Sequence, residues 1–376
     1  MRYKIKKVKS NEIFYLFSIF ILAVIYGLSC SQFVKIHINI KTLLNNIEWL
    51  LYLMLFVQVI FLNKYSKKQL VILAFSGLFL TVGYIISGYA ALLRTFLVVV
   101  ASKKVNYRRI FMTIFYAVVF SFICVFLLYF LKISDAGVLR RGYKAFGFSQ
   151  TNVCCYIIQT ACFTWFAAHD NLKLTKEKTM ILWSIAFLNY KLLGGRNTSI
   201  ILFLFPIVTA VIETIVKRKK YKYIKQCICL FPVLCHGITM ATTMLYEKNK
   251  LVQRINDMIG SRIFLNYFNF YEYGLSLFGK QTIFNDGKTL YNKVTNKYST
   301  YNTIDNSYMC LTLQMGVIGT IIWLATFFIT IAKMVKNEKT ILISITLLLC
   351  IFGLFESSII EIIIGFPLIF LFADDS

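Results

Sequence analysis

The chain reads as an all-α polytopic membrane protein of about 12 transmembrane helices, with one large external loop before the last three spans. Three observations predict this. Of 376 residues, 58% are hydrophobic and only 15% are charged, a balance too apolar for an ordinary soluble domain. Windows of about 20 residues with few or no charges recur along the whole length. One polar interval, 246–305, interrupts the pattern and carries Arg254, Asp257, Arg262, Glu272, Asp286 and Asp305 among scattered Tyr and Asn.

The apolar runs place spans over 12–31, 43–62, 70–86, 88–101, 110–131, 147–168, 179–195, 197–216, 223–244, 306–332, 339–353 and 355–372. The first follows a basic stretch (Arg2, Lys4, Lys6, Lys7, Lys9). It is about 20 residues long with no small-residue cleavage motif, so it reads as an uncleaved anchor. The third and fourth are parted only by Ser87-Gly88, which suits a re-entrant pair, and the last two hinge near Gly353. Pro206, Pro232 and Pro367 all fall inside spans, where proline kinks helices. With no repeat and no linker, residues 1–376 form a single integral membrane domain, with 246–305 a loop within it.

Lys and Arg in alternate short connections divide 24 against 8 if the N-terminus is inside. Long loops count little in this rule. Both termini are therefore expected in the cytoplasm and loop 246–305 outside. The net charge of +25 sits in short clusters at span ends, as expected for anchoring to membrane lipids of an anionic leaflet. With no basic soluble domain, a nucleic-acid partner is not expected.

Cys154-Cys155 and Cys227-Cys229 lack zinc-site spacing, and the ten cysteines read as packing residues. His37, His169 and His236 are too dispersed to build a metal cluster, so no metal or cofactor is expected. No phosphate-binding loop, dinucleotide fingerprint or Ser-His-Asp-like spacing occurs. The inner loops are too short to hold a nucleotide sugar.

Several arginines face outward, against the positive-inside trend. Arg140 and Arg141 precede Phe146-Gly147-Phe148-Ser149-Gln150-Thr151-Asn152; Arg196 follows Gly194-Gly195; Arg254 and Arg262 lie in the long loop. The planar guanidinium fork suits a diphosphate, making paired, charge-assisted bonds to its oxygens. The plainer reading is headgroup anchoring. Arg94 lies inside a short apolar run, where a charge must pair, meet water or snorkel. Asp305 precedes the next span and serves equally as a helix cap or as a general base. Glu356 sits at the external hinge, where it suits an ion pair with an arginine.

Four motifs carry a resemblance: Arg140 to Asn152; Gly194-Gly195-Arg196-Asn197-Thr198; Asn256 to Arg262 followed by Tyr273-Gly274-Leu275-Ser276-Leu277-Phe278-Gly279; and Asp305-Asn306-Ser307-Tyr308 with Gly316. In order and in layout the chain resembles the Wzy-type oligosaccharide repeat-unit polymerases of bacterial capsule and exopolysaccharide synthesis, within the O-antigen polymerase and ligase superfamily. Gln150 and Thr151 stand where that family has His and Pro.

The resemblance implies a metal-independent glycosyltransferase acting on polyprenyl-diphosphate-linked oligosaccharides. It places the protein in a bacterial cell membrane, and with the charge placement above it puts catalysis on Arg141, Arg196, Arg262 and Asp305. Substrate binding falls to Arg94, Arg140, Asn152, Arg254, Asn306 and Tyr308. Other polysaccharide-assembly proteins, such as a chain-length regulator and a flippase, are the implied partners. Two alternatives stay open. A flippase for the same lipid-linked units would show internal repeats and interrupted helices around a midplane site. A ligase would share the arginines and hand the glycan to another acceptor.

Overall fold

The computed structural model describes residues 10–135, 142–170, 174–218, 221–282, 290–292, 297–299 and 303–375. The first half runs α1 (Ser10–Ser29), α2 (Gln32–Ile36), α3 (Ile38–Val57, continued by a π-helical turn Gln58–Leu62), α4 (Lys67–Ser87), α5 (Ala91–Ala101), α6 (Tyr107–Phe130), α7 (Thr151–Ala168) and α8 (Lys176–Leu193). The second half runs α9 (Arg196–Lys217), α10 (Lys222–Leu245), α11 (Lys250–Met258), α12 (Arg262–Tyr273), α13 (Ser307–Gln314), α14 (Gly316–Lys336) and α15 (Thr340–Phe352). Within the long loop, β1 (Leu290–Asn292) pairs antiparallel with β2 (Lys297–Ser299).

Seven helical stretches are long and apolar enough to cross a membrane: α1, α3 with its π turn, α4, α6, α9, α10, and α13 with α14. α5 and α15 are apolar but shorter, at 11 and 13 residues. α7 and α8 have 18 residues each and a more polar make-up that includes Gln159, Thr160, Asn189 and Lys191. Local chemistry sets the boundaries. Ser66 and Gln69 form a reciprocal capping box at the start of α4, meeting two otherwise unpartnered N–H groups. Asn106 accepts from the N–H groups of Arg108 and Arg109 to open α6.

The largest departure from the predicted spans is at the end. In place of a helix over 355–372, the chain makes two short 3₁₀ turns, Ser357–Ile360 and Phe366–Leu371. Pro367 has no N–H to give and restricts Phe366, while the isoleucines crowd a helical backbone. Irregular backbone at membrane depth must be enclosed by protein. Here it is: Ile359, Ile363, Ile364, Phe366, Ile369 and Phe370 are at most 2% exposed.

Side chains from the surrounding helices serve the carbonyls that a helix would have satisfied itself. Thr95 donates to Ile360 O at 3.0 Å and Ser102 to Ile369 O at 3.2 Å. The Lys333 ammonium donates to the carbonyls of Phe370, Leu371 and Ala373. Each such group left unmet would cost about 1–3 kcal/mol.

Polar contacts tie the described connections together at two ends of the bundle. At one end, Asp170 accepts from the Tyr107 hydroxyl at 2.6 Å and pairs with Arg108 at 3.0 Å and Lys339 at 3.3 Å. Lys339 also pairs with Asp375, Arg109 pairs with Glu12, and Asn11 bonds Leu62 O. Both described chain ends therefore share this face. At the other end, Gln32 N–H donates to Gly147 O, Tyr89 donates to Thr282 O, and Arg262 meets Glu356.

Candidate functional site

Three helices start at one polar cleft. α7 begins at Thr151 because the preceding Gly147-Phe148-Ser149 is pinned to the α1–α2 corner: Ser149 N–H donates to Cys30 O at 2.9 Å, and Phe148 is fully buried. α8 stops at Gly194, whose φ of 68° is the left-handed conformation that glycine adopts without strain. Gly195 then passes so close to Cys155 of α7 that a Cβ there would collide with its sulfur. The turn is locked by Thr198, which donates to Gly195 O and accepts from Asn189. α9 consequently starts at Arg196.

α12 starts at Arg262 after a tight corner in which Gly260 and Ser261 both have positive φ. Buried Asn256 holds that corner. Its carbonyl accepts from Ser261 N–H and its side-chain oxygen from Phe264 N–H, both at 2.9 Å.

The cleft has a cavity volume of about 60 Å³ and is lined by Thr151, Asn152, Arg196, Asn197, Arg262 and Glu356, among others. Helix N-termini carry partial positive charge and unpaired N–H groups, and so attract anions. Three of them with two guanidinium groups make a site suited to a compact polyanion. Among the described residues, Glu356 is the only carboxylate lining it. Its Oε1 accepts from Asn197 at 3.2 Å and from Arg262 at 3.3 Å. The ion pair expected of Glu356 is thus present, with Arg262. Asp305 approaches the same guanidinium at 3.9 Å.

The two arginines differ in what surrounds them. Arg262 is largely buried and already faces two carboxylates. Arg196 is exposed and has no acidic partner among the described residues. It is the cation in the cleft with charge to spare.

Two apolar grooves continue from Arg196 along opposite flanks of α9. One, of about 310 Å³, also borders Arg262 and is lined by Ile200, Leu204, Met258, Ile351 and Phe355. The other, of about 510 Å³, lies between α8 and α9 against Trp183, Phe187, Tyr190 and Phe203.

The remaining expected site residues fall elsewhere. Asn306 is 3% exposed. It caps α13 by accepting from Met309 N–H, and its amide donates to Leu354 O at 2.9 Å. Tyr308 is fully buried and donates to Cys350 O at 2.9 Å. Neither lines the cleft, and both hold α13 to the C-terminal hinge. The cap expected of Asp305 is supplied by its neighbour Asn306.

Arg254 is exposed on α11 and does not border the cleft. Arg94 lies on α5, paired with Glu48 at 3.0 Å and stacked over Trp49, so the intramembrane charge is met by a partner. Arg140 and Arg141 lie outside the described residues. Glu356 and Asn197 meet across a separation of 159 residues, a contact that only the fold creates.

Tyr273–Gly279 and Gly316, two parts of the loop motif, do come together. Ser276 O and Leu277 O accept from Val317 and Ile318 N–H, and Lys280 N–H donates to Leu313 O. Gly279 and Gly316 face each other backbone to backbone, where any Cβ would collide. No family model, curated protein or solved structure matches the chain.

Proposed function

We propose that the protein is a membrane glycan polymerase that moves a growing oligosaccharide from a polyprenyl-diphosphate carrier onto a new lipid-linked repeat unit. One observation carries the reading: Arg196, Arg262 and three helix N-termini meet at a cleft that continues into apolar grooves. A diphosphate on a long hydrocarbon has the same division into charged head and apolar tail. The order of the four sequence motifs supports the same class.

In this reading the bond from the anomeric carbon to the diphosphate oxygen breaks, and the diphosphate leaves with the electron pair. Arg196 and the N–H groups that open α9 stabilise the growing negative charge, an effect strongest where donors are already in place. The acceptor hydroxyl oxygen forms the new bond to that carbon and gives its proton to a carboxylate. Glu356 lines the cleft and Asp305 does not, so Glu356 takes the base role expected of Asp305 from its place before the span. Arg262 holds that carboxylate in place. The two flanks of α9 provide separate courses for the donor and acceptor hydrocarbon chains.

The test is reconstitution of the purified protein with a synthetic prenyl-diphosphate oligosaccharide, with products resolved on a gel. A ladder of lipid-linked multimers is expected, and it should vanish in Arg196→Ala. A second reading, a flippase for the same units, is favoured by the broken backbone of 357–371 inside the bundle. In that case the substrate would stay one unit long and cross the bilayer.

A further inference from the structure

A separate groove lies on the far side of the bundle from α9, between α4, α5 and α14. It encloses about 470 Å³ and is apolar along its length, lined by Ile72, Leu80, Phe96, Trp323 and Ile329 among others. α4 is the least enclosed of the seven long apolar helices, so this groove lies behind a helix that protein holds only loosely. The indole N–H of buried Trp323, on its wall, has no hydrogen-bond partner.

The groove ends at Gln69, in the first turn of α4. There the Lys103 ammonium donates to Gln69 Oε1 at 2.9 Å and sits 4.1 Å from the centre of the Tyr65 ring. Lys67 and Lys68 open α4, and Lys64 and Lys104 lie in the connections beside Tyr65 and Lys103. Among the described residues no carboxylate pairs with any of the five. Burial and the neighbouring Lys104 push the Lys103 ammonium down from its ordinary value, with no acid acting against them. Elsewhere at this end Arg108, Arg109 and Lys339 each have a carboxylate.

We infer that this groove is a binding site for an anionic phospholipid, its acyl chains between α4, α5 and α14 and its phosphate on Lys103 with Lys67 and Lys68. The occupant follows from the arrangement. An apolar slot open to the bilayer selects hydrocarbon, and a cluster of uncompensated lysines at its mouth selects a negative headgroup. An acyl chain there would also fill space left between α4 and its neighbours α5 and α14. α4 reaches the outer loop through Gly83, whose Cβ position would touch Phe278 O, so a lipid seated here steadies the segment that packs on the α13–α14 junction.

The test uses the full chain, purified in detergent and stripped of lipid. It is titrated with phosphatidylglycerol carrying brominated acyl chains, and separately with the matching phosphatidylcholine. Bromine quenches indole fluorescence at contact range, and of Trp49, Trp165, Trp183 and Trp323 only Trp323 lines the groove. The Trp323→Phe variant isolates its signal.

Saturable quenching of Trp323 by phosphatidylglycerol is expected at several-fold lower concentration than by phosphatidylcholine. Lys67→Gln/Lys68→Gln/Lys103→Gln should weaken phosphatidylglycerol at least fivefold and leave phosphatidylcholine unchanged. Ala325→Phe, which fills the groove, should abolish quenching by both. Equal midpoints for the two lipids in the parent protein would overturn the inference, as would quenching of Trp323 that never saturates. Brominated oleate acting as well as phosphatidylglycerol would also overturn it, reassigning the groove to a single-chain acid.

Discussion

The Arg262 guanidinium meets the Glu356 carboxylate at 3.3 Å, joining residues 94 positions apart. One belongs to the long loop and the other to the hinge after α15. Both side chains are largely buried, at 13% and 15% exposure, so removing one leaves the other charge poorly solvated. Arg262→Ala and Glu356→Ala should each destabilise the protein by about 3 kcal/mol, and the double variant by clearly less than their sum. Denaturation midpoints of the four proteins would check this; strict additivity would refute it.

Arg196→Ala should behave differently, because Arg196 is exposed and its removal leaves no carboxylate without a partner. The expected result is unchanged thermal stability with roughly 10- to 100-fold weaker binding of farnesyl diphosphate, in line with loss of a charge-assisted hydrogen bond. Arg196→Lys should recover part of that, since an ammonium keeps the charge and loses the fork. Calorimetric titration with the soluble short-chain diphosphate reads both.

For Asn306 the prediction separates structure from substrate contact. Asn306→Asp keeps the cap oxygen for Met309 N–H but loses the amide donated to Leu354 O, and Asn306→Ala loses both. Stability should fall in that order, by about 1 and about 2 kcal/mol. Diphosphate affinity in the folded fraction should not change. A large affinity loss at normal stability would return Asn306 to the substrate.

Gly316→Ala should free the outer loop. At φ 70°, with Gly279 against it, an added methyl group must push the Leu277–Gly279 backbone away. Limited trypsin digestion should then cut after Lys280 many times faster than in the parent protein.

Topology has its own test in a cysteine-free background. Tyr271→Cys lies on the exposed face of α12, and an impermeant thiol reagent should label it on intact cells. Lys176→Cys, at the exposed start of α8, should label only after lysis. The reverse pattern would invert the orientation drawn from the 24-to-8 charge division.

Much of this protein could be read without coordinates, and the reasons are local. Apolar runs bounded by Ser66, Gly88, Asn106 or Gly194 become helices with ends close to those expected, because caps and left-handed glycines act within a few residues. The arginines singled out by charge as candidates include two, Arg196 and Arg262, that share the cleft with Asn152. Asn306 and Tyr308 follow Asp305 in a polar motif, yet both turn inward. Their hydrogen bonds go to Leu354 and Cys350, which no local pattern announces. The predicted helix over 355–372 failed for the same reason. Its hydropathy is that of a span, but Thr95, Ser102 and Lys333 supply from a distance the bonds that make another conformation stable.

That C-terminal segment also constrains how the protein is made. A helix that satisfies its own backbone can leave the insertion machinery sideways into lipid one span at a time. Residues 357–371 cannot, because their carbonyls depend on α5 and α14 being already in place. They are synthesised after the helices that bind them, and must be drawn into a bundle already formed. Closure of the three Lys333 contacts on Phe370, Leu371 and Ala373 therefore marks the docking of this segment.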